Sequence, residues 1–229
     1  MFFPQVSEIE IAGKAATTVI NPSYAWLLVG DSHLSLLGPT ISKIGSSLVA
    51  IRGGHVLHVD QYFYLSKILV TSKVDAVVIS IGGNDMTDEN VGSMVIAHQL
   101  MGVIKKIQAV LPQVLVVTTT IWPRAFLEVS KTARFLDRID EFDHHIQAQG
   151  PTHHHLVTDA FIADTRTNKG PALPQTNLFA RDRTHLNFHG RELLEIVFSY
   201  IFESIAQGNF DTAREINFQG MRRLALWKF

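Results

Sequence analysis

Three short segments of the sequence contain side chains that could together cleave an ester. Ser32 lies in a Gly-Asp-Ser-His segment and offers a hydroxyl nucleophile, and Asn84 lies in a Gly-Gly-Asn-Asp segment and offers a carboxamide donor. Asp182 and His185 are three residues apart, so the carboxylate can hold the imidazole in one tautomer while the imidazole takes the serine proton. A side-chain amide can donate to the oxyanion that such an attack forms.

Each segment taken alone also fits an ordinary structural role. An Asp-Ser pair is a common helix cap, and an asparagine after two glycines is common in turns. An aspartate in a loop can cap the next helix while a neighbouring histidine lies on the surface. The combination is more specific, because Ser32, Asn84 and the Asp182–His185 pair come in one order and are predicted to meet at one edge of a sheet.

Short apolar runs predict the strands that would bring these residues together. They are rich in Val and Ile and apolar nearly throughout, which is typical of parallel strands covered by helices on both faces. The runs are Ala25–Val29, Leu48–Ile51, Ala76–Ile81 and Val114–Ile121, with a weaker fifth candidate at His155–Thr158. Apolar residues at helical spacing predict helices at Asp60–Val70, Val91–Val110, Leu127–Gln149 and Arg191–Ile205. This alternation predicts a doubly wound α/β sandwich, in which ligands bind beyond the carboxyl ends of the strands.

The length of 229 residues and the single series of alternating elements predict one domain, over residues 24–207. Residues 1–23 and 208–229 lie outside the pattern, and we predict extensions there, the second packed on the domain. The segment Asp164–Asp182 is rich in Asn, Gly, Pro and Thr and is predicted to be a loop. The first residues lack the basic start and apolar run of a secretory signal, and no apolar stretch approaches the ~20 residues of a membrane helix. We therefore expect a soluble, intracellular protein.

The composition excludes several kinds of site and partner. Cysteine is absent, so a disulfide framework, a thiolate nucleophile and a cysteine-based zinc site are impossible. Lys+Arg is 20 and Asp+Glu is 21, and this balance argues against a chain built mainly to bind nucleic acid. With 46% apolar and 18% charged residues, the sequence is typical of a folded globular protein.

The 11 histidines raise the alternative of a metal hydrolase, since His144-His145 and His153-His154-His155 form clusters. Adjacent histidines on a helix point about 100° apart, and successive residues of a strand face opposite sides. Neither cluster has a carboxylate at ligand spacing in the sequence. We interpret both clusters as solvated edge residues and predict no metal site.

The joint pattern resembles the SGNH hydrolases, also called GDSL-type esterases. The segment around Ser32 resembles that family's first block, with a histidine where leucine is commoner, and the segment around Asn84 resembles the third block. Asp182 and His185 resemble the last block. The resemblance spans roughly Trp26 to Phe202 and implies a flavodoxin-like three-layer α/β/α sandwich around a five-stranded parallel sheet.

The resemblance also implies a mechanism. Ser32 attacks an ester carbonyl while His185, held by Asp182, takes the proton, and no metal or organic cofactor is needed. The family's second-block glycine resembles Gly54, which lies 30 residues before Asn84, with Gly53 as the alternative. The oxyanion donors implied are the Ser32 amide, the Gly54 amide and the Asn84 carboxamide. Because the chain has no large lid insertion, we expect short-chain or O-acetyl esters of small molecules, carbohydrates or lipids.

Finer details resemble the esterase domains in the first open reading frame of some LINE retrotransposons, and carbohydrate acetyl-esterases share parts of the pattern. They include the segment Asp-x-x-His-Leu-Asn and the segment Trp-Pro-Arg, which contains Arg124. Arg124 is predicted to contact a polar or anionic substrate, and a surface arginine beside a turn is the alternative. The rival functions are a non-catalytic binding or assembly module and a nucleic-acid protein with a vestigial esterase. The distance between Ser32 and His185 helps to distinguish a catalytic site from a binding module.

Overall fold

A computed structural model describes the parts of the chain that contain the predicted site. The described residues are 25–35, 47–50, 54–59, 74–149, 153–156 and 174–207. The predicted helix Asp60–Val70, the extensions at residues 1–23 and 208–229, and Gly53 lie outside these ranges.

Five parallel strands form one sheet, in the spatial order β2-β1-β3-β4-β5. The strands are β1 (Trp26–Gly30), β2 (Ser47–Ala50), β3 (Ala76–Ser80), β4 (Leu115–Thr119) and β5 (His154–Leu156). β1 pairs with both β2 and β3, and its Leu28 lies opposite Leu48 on one side and Val78 on the other. From β1 the chain adds β2 on one side and then β3, β4 and β5 on the other. The first strand therefore lies inside the sheet, as in doubly wound folds.

Within the described ranges, four α-helices accompany the sheet: α1 (Ser32–Ser35), α2 (Ser93–Val110), α3 (Val129–Gln147) and α4 (Phe188–Ala206). Single 3-10 turns lie at Val56–His58, Asp85–Thr87 and Thr176–Leu178. α2 ends before Leu111, which precedes a proline and has non-helical backbone (φ −129°, ψ 81°), since a following proline disfavours the helical conformation. α4 begins three residues earlier than predicted, because the Asn187 side chain accepts a hydrogen bond from the Gly190 amide and caps it there.

Alternate residues of the central strands face two separate hydrophobic cores. Trp26 and Leu28 of β1 pack into the core that contains α4, whereas Leu27 and Val29 pack into the core that contains α2 and α3. The sheet is therefore covered on both faces, and the predicted three-layer α/β/α fold with a five-stranded parallel sheet is confirmed. Among the described residues, no helix combines the length and the apolar composition needed to cross a membrane.

The predicted strands and helices differ from the observed ones mainly at their ends. β3 ends at Ser80 and β4 at Thr119, although the apolar runs continue to Ile81 and Ile121. After β3 the backbone turns at Gly82, whose φ is +121°. An apolar run indicates which residues are buried, not which residues form the backbone hydrogen bonds of the sheet. Ile81 and Ile121 are both buried, although they lie beyond the ends of their strands.

The interpretation of the histidine clusters is wrong for His153 and His155, which are buried rather than solvated. The carboxylate partner comes from a different element: His155 Nε2 lies 2.9 Å from Asp143 Oδ1 on α3. The other ring nitrogen, Nδ1, lies 2.8 Å from the Thr118 hydroxyl. A histidine on a short strand is thus part of a buried polar network, whereas His144 on α3 is exposed as predicted.

Candidate active site

Ser32 is the first residue of α1, directly beyond the carboxyl end of β1. The sharp turn there depends on Gly30, because a Cβ at that position would lie 2.5 Å from the Ser80 carbonyl oxygen and 2.5 Å from Leu34 Cδ1. The turn is held by the Asp31 carboxylate, which accepts a hydrogen bond of 3.0 Å from the His33 amide. The hydroxyl of Ser32 therefore projects from a rigid strand-to-helix turn.

His185 lies between Ser32 and Asp182. Its Nε2 is 3.1 Å from Ser32 Oγ, and its Nδ1 is 2.7 Å from Asp182 Oδ2. Since a carboxylate only accepts, these contacts assign the ring proton to Nδ1 and leave Nε2 free to accept the serine proton. The structure thus brings together three residues that are up to 153 positions apart in sequence.

The loop holding Asp182 also stabilises its negative charge. Partial burial acts to raise the pKa of Asp182, but hydrogen bonds from the His185 side chain and from the backbone amides of His185 and Thr184 outweigh it. The pKa of Asp182 is lowered to about 2. Both amides donate to Oδ1 at 3.0 Å, while Oδ2 remains for the imidazole.

Asn84 follows β3 and contacts Gly54, the predicted second-block glycine. Its Nδ2 donates to the Gly54 carbonyl oxygen at 2.9 Å. The buried Asp85 strengthens this link, because its carboxylate accepts from the Val56 amide at 3.0 Å and lies 3.3 Å from His55 Nδ1. Asp85 thereby tethers the segment that contains Gly54, a role that requires a partner from another loop and has no signal in the local sequence.

Arg124 lies at this edge of the sheet, but its side chain is only 7% exposed. Its Nη2 donates to Asn84 Oδ1 at 2.9 Å, and its guanidinium carbon lies 5.8 Å from the centre of the Phe135 ring. The predicted alternative of a surface arginine beside a turn is therefore wrong. Arg124 belongs to the same cluster as Asn84, and its predicted contact with substrate stays a prediction.

His33 is a buried neighbour of the Ser32–His185 pair. Its ring centre lies 5.9 Å from that of His185, and the side chain is buried. Burial, reinforced by electrostatic interactions with Arg124 and His185, lowers the pKa of His33 to about 3. His33 is therefore neutral near pH 7, and it places an uncharged imidazole beside the reacting residues.

A cleft of about 220 Å³ lies among residues that follow Asn84 and Arg124 in the chain. Its walls combine apolar and basic side chains, namely Met86, Thr87, Glu89, Phe126, Lys131, Arg134, Phe135 and Arg138. Among the residues that the structure describes, no cluster of three His, Asp or Glu side chains is arranged to hold a metal ion.

Solved structures with the same fold come from bacteria and a fungus. A GDSL-like lipase from Bacteroides thetaiotaomicron has 12% sequence identity and a TM-score of 0.57, with 86% of this chain and 96% of that chain covered. A carbohydrate esterase of family 3 from Talaromyces cellulolyticus has 14% identity and a TM-score of 0.57, covering 82% and 99%. A catalytic mutant of an acetylxylan esterase from Geobacillus stearothermophilus has 16% identity and a TM-score of 0.54, covering 78% and 93%.

A comparison with the curated proteins finds no match. The sequence does match a protein family over residues 39–193, more than half of the chain, and that span includes Asn84, Asp182 and His185 while beginning after Ser32. The resemblance drawn from the sequence motifs is thereby confirmed: the chain belongs to the GDSL-like lipase/acylhydrolase family.

Proposed function

We propose that the protein is a serine esterase in which Ser32 is the nucleophile, His185 the general base and Asp182 the residue that orients His185. The 3.1 Å contact between Ser32 Oγ and His185 Nε2 carries the proposal, because proton transfer requires hydrogen-bond reach between the two. The 2.7 Å contact to Asp182 supports it, since an ionised carboxylate stabilises the imidazolium that forms. Membership of an acylhydrolase family supports ester hydrolysis as the reaction class.

The reaction proceeds in two halves. His185 Nε2 takes the hydroxyl proton as Ser32 Oγ attacks the carbonyl carbon, and the tetrahedral intermediate then releases an alkoxide that receives this proton. The products of this half are the free alcohol and an acyl-serine. A water molecule attacks the acyl carbonyl with His185 as base, and collapse returns the proton to Ser32 and releases the acid.

Asn84 and Gly54 are the proposed donors to the oxyanion, together with the Ser32 amide. The 2.9 Å hydrogen bond between the Asn84 carboxamide and the Gly54 carbonyl supports this assignment, because it holds the two elements together. The nitrogen of Asn84 has two hydrogens, so one remains for the substrate after the bond to Gly54. Removing one oxyanion donor typically costs roughly 10²–10³ in rate.

We propose short-chain or O-acetyl esters as substrates. The acetylxylan esterase from Geobacillus stearothermophilus, which has the same fold, supports the acetyl class by analogy.

The decisive experiment measures hydrolysis of p-nitrophenyl acetate, butyrate and octanoate by the wild type and by Ser32→Ala and His185→Ala. We expect wild-type turnover that is fastest on acetate and a fall of at least about 10³-fold in both variants, because each removes a group that acts in every half-reaction. The exposed residues Ser130 and His189 provide matched controls, and Ser130→Ala and His189→Ala should retain activity. Full activity in Ser32→Ala would exclude this mechanism. Wild-type inactivity on every ester would favour the non-catalytic binding or assembly module.

A further inference from the structure

Arg124 is a buried residue that holds the carboxamide of Asn84 through a partly buried hydrogen bond. Its Nη2 donates to Asn84 Oδ1 at 2.9 Å, and the arginine side chain is 7% exposed. Burying a guanidinium is costly unless the charge has partners. Because Arg124 is buried, its charge does not serve solubility at the surface, and its place beside a proposed oxyanion donor points to a role at the site.

The two partners of Asn84 allow only one orientation of its carboxamide. Arginine can only donate, so Oδ1 must face Arg124, and a backbone carbonyl can only accept, so Nδ2 must face Gly54. Exchanging the oxygen and nitrogen would place donor against donor and acceptor against acceptor. The second hydrogen of Nδ2 is thereby left in a fixed direction.

The Asp31 carboxylate is a nearby group of opposite charge to Arg124. A Cβ built on Gly83 would lie 3.4 Å from Arg124 Nη2 and 3.4 Å from Asp31 Oδ2, so the guanidinium and the carboxylate both lie beside this glycine. Burial lowers the pKa of Arg124, and the charges of Asp31 and Asp182 oppose that shift. A guanidinium stays protonated in proteins, and its positive charge withdraws electron density from the Asn84 oxygen to which it donates.

We propose that Arg124 is a positioning residue that orients and polarises the Asn84 carboxamide, so that its second N–H donates to the oxyanion formed on Ser32. This inference rests on the proposed esterase function and adds a residue that acts through Asn84. It differs from a direct contact between Arg124 and substrate. A direct contact would act on substrate binding, whereas positioning acts on the transition state.

The test is a double-mutant cycle on p-nitrophenyl acetate with Arg124→Ala, Asn84→Ala and both together. We expect Arg124→Ala to lower kcat by roughly 10–10²-fold while KM changes less than about twofold, since an oxyanion donor is weakened but present. In the Asn84→Ala background, Arg124→Ala should have almost no further effect, because the group it positions is gone. Lys105 is an exposed basic residue of α2 and does not line the cleft, so Lys105→Ala is the control and should retain kcat.

Arg124→Lys provides a second variant in case Arg124→Ala does not fold. Lysine keeps the positive charge and N–H donors but lacks the planar guanidinium, so we expect Arg124→Lys to restore part of kcat. The remaining loss of kcat should vanish in the Asn84→Ala background. Provided that the wild type shows Ser32-dependent turnover, three results for the Arg124 variants would overturn the inference. These are an equal loss of kcat in the wild-type and Asn84→Ala backgrounds, a raised KM at constant kcat, and no effect on either constant. Absence of Ser32-dependent turnover in the wild type would overturn the proposed function itself.

Discussion

Two buried side chains that flank Ser32 have opposite pKa shifts. Burial raises the pKa of Asp31 to about 6, although the His33 amide and the charge of Arg124 act against it. Burial lowers the pKa of His33 to about 3, and electrostatic interactions with Arg124 and His185 lower it further, whereas the interaction with Asp182 opposes the shift. Burial thus favours the neutral form of each group. At pH 7 His33 is neutral, whereas Asp31 is largely ionised because its pKa of about 6 lies below that pH.

These shifts make folding stability depend on pH in a defined way. His33 binds a proton below about pH 6.5 in the unfolded chain, but only near pH 3 in the folded chain. The free energy of unfolding is therefore undiminished by His33 above about pH 6.5 and decreases as the pH falls from 6.5 toward 3. Asp31 binds its proton near pH 6 in the folded chain, but only near pH 3.8 in the unfolded chain. Through Asp31, the free energy of unfolding therefore increases as the pH falls from about 6 to 3.8.

We therefore expect His33→Leu to reduce the acid sensitivity of the fold. Between pH 7 and pH 4, the wild type should lose on the order of 3 kcal/mol of unfolding free energy through His33, and the variant should not lose it. Urea denaturation at the two pH values measures this difference. His98 is exposed on α2, and His98→Leu should keep the wild-type dependence. Equal acid losses in the wild type and His33→Leu would contradict the expectation.

At the scale of elements, a buried polar network joins α3 to β4 and β5. The Asp143 carboxylate accepts from the Thr120 hydroxyl at 2.6 Å and lies 2.9 Å from His155 Nε2, while His155 Nδ1 lies 2.8 Å from the Thr118 hydroxyl. β5 is three residues long and pairs within the described sheet with β4 alone. The hydrogen bond from His155 to α3 therefore supplements the few backbone hydrogen bonds that hold β5 to β4.

Removing the centre of this network should be costly. We expect Asp143→Ala to lower the unfolding free energy by about 3 kcal/mol, because it leaves the buried His155 and Thr120 groups without their partner. Urea denaturation measures the loss. Glu141 is exposed on the same helix, so Glu141→Ala is the control and should change stability by less than about 0.5 kcal/mol. A loss in Asp143→Ala no larger than in the control would show that the network contributes little.

At the scale of the whole molecule, the net charge favours the esterase over the alternative of a nucleic-acid-binding protein. The net charge is −1, and tight non-specific binding of nucleic acid requires several Lys or Arg contacts to phosphates. We expect no binding of a single-stranded RNA at micromolar protein in about 0.15 M salt, measured by fluorescence anisotropy. Tight binding that weakens steeply with added salt would contradict this expectation and support the nucleic-acid rival.

The sequence by itself predicted the strands, three of the helices and the residues Ser32, Asn84, Asp182 and His185, because these signals are local. Buried parallel strands need continuous apolar runs, and motif residues at strand ends share one edge of the sheet. Element ends were less accurate, since hydrophobicity continues where ladder pairing stops.

Only the tertiary structure decided the partners of Arg124 and His155. Arg124 was expected at the surface or in contact with substrate, and it is buried against Asn84. His155 was expected in solvent, and it bonds to Asp143 of a neighbouring helix. Both depend on pairs of residues 12 to 40 positions apart that meet because helices and strand ends pack together. Such partnerships have no local signature, since burial of a charge becomes tolerable only when the fold supplies its partner.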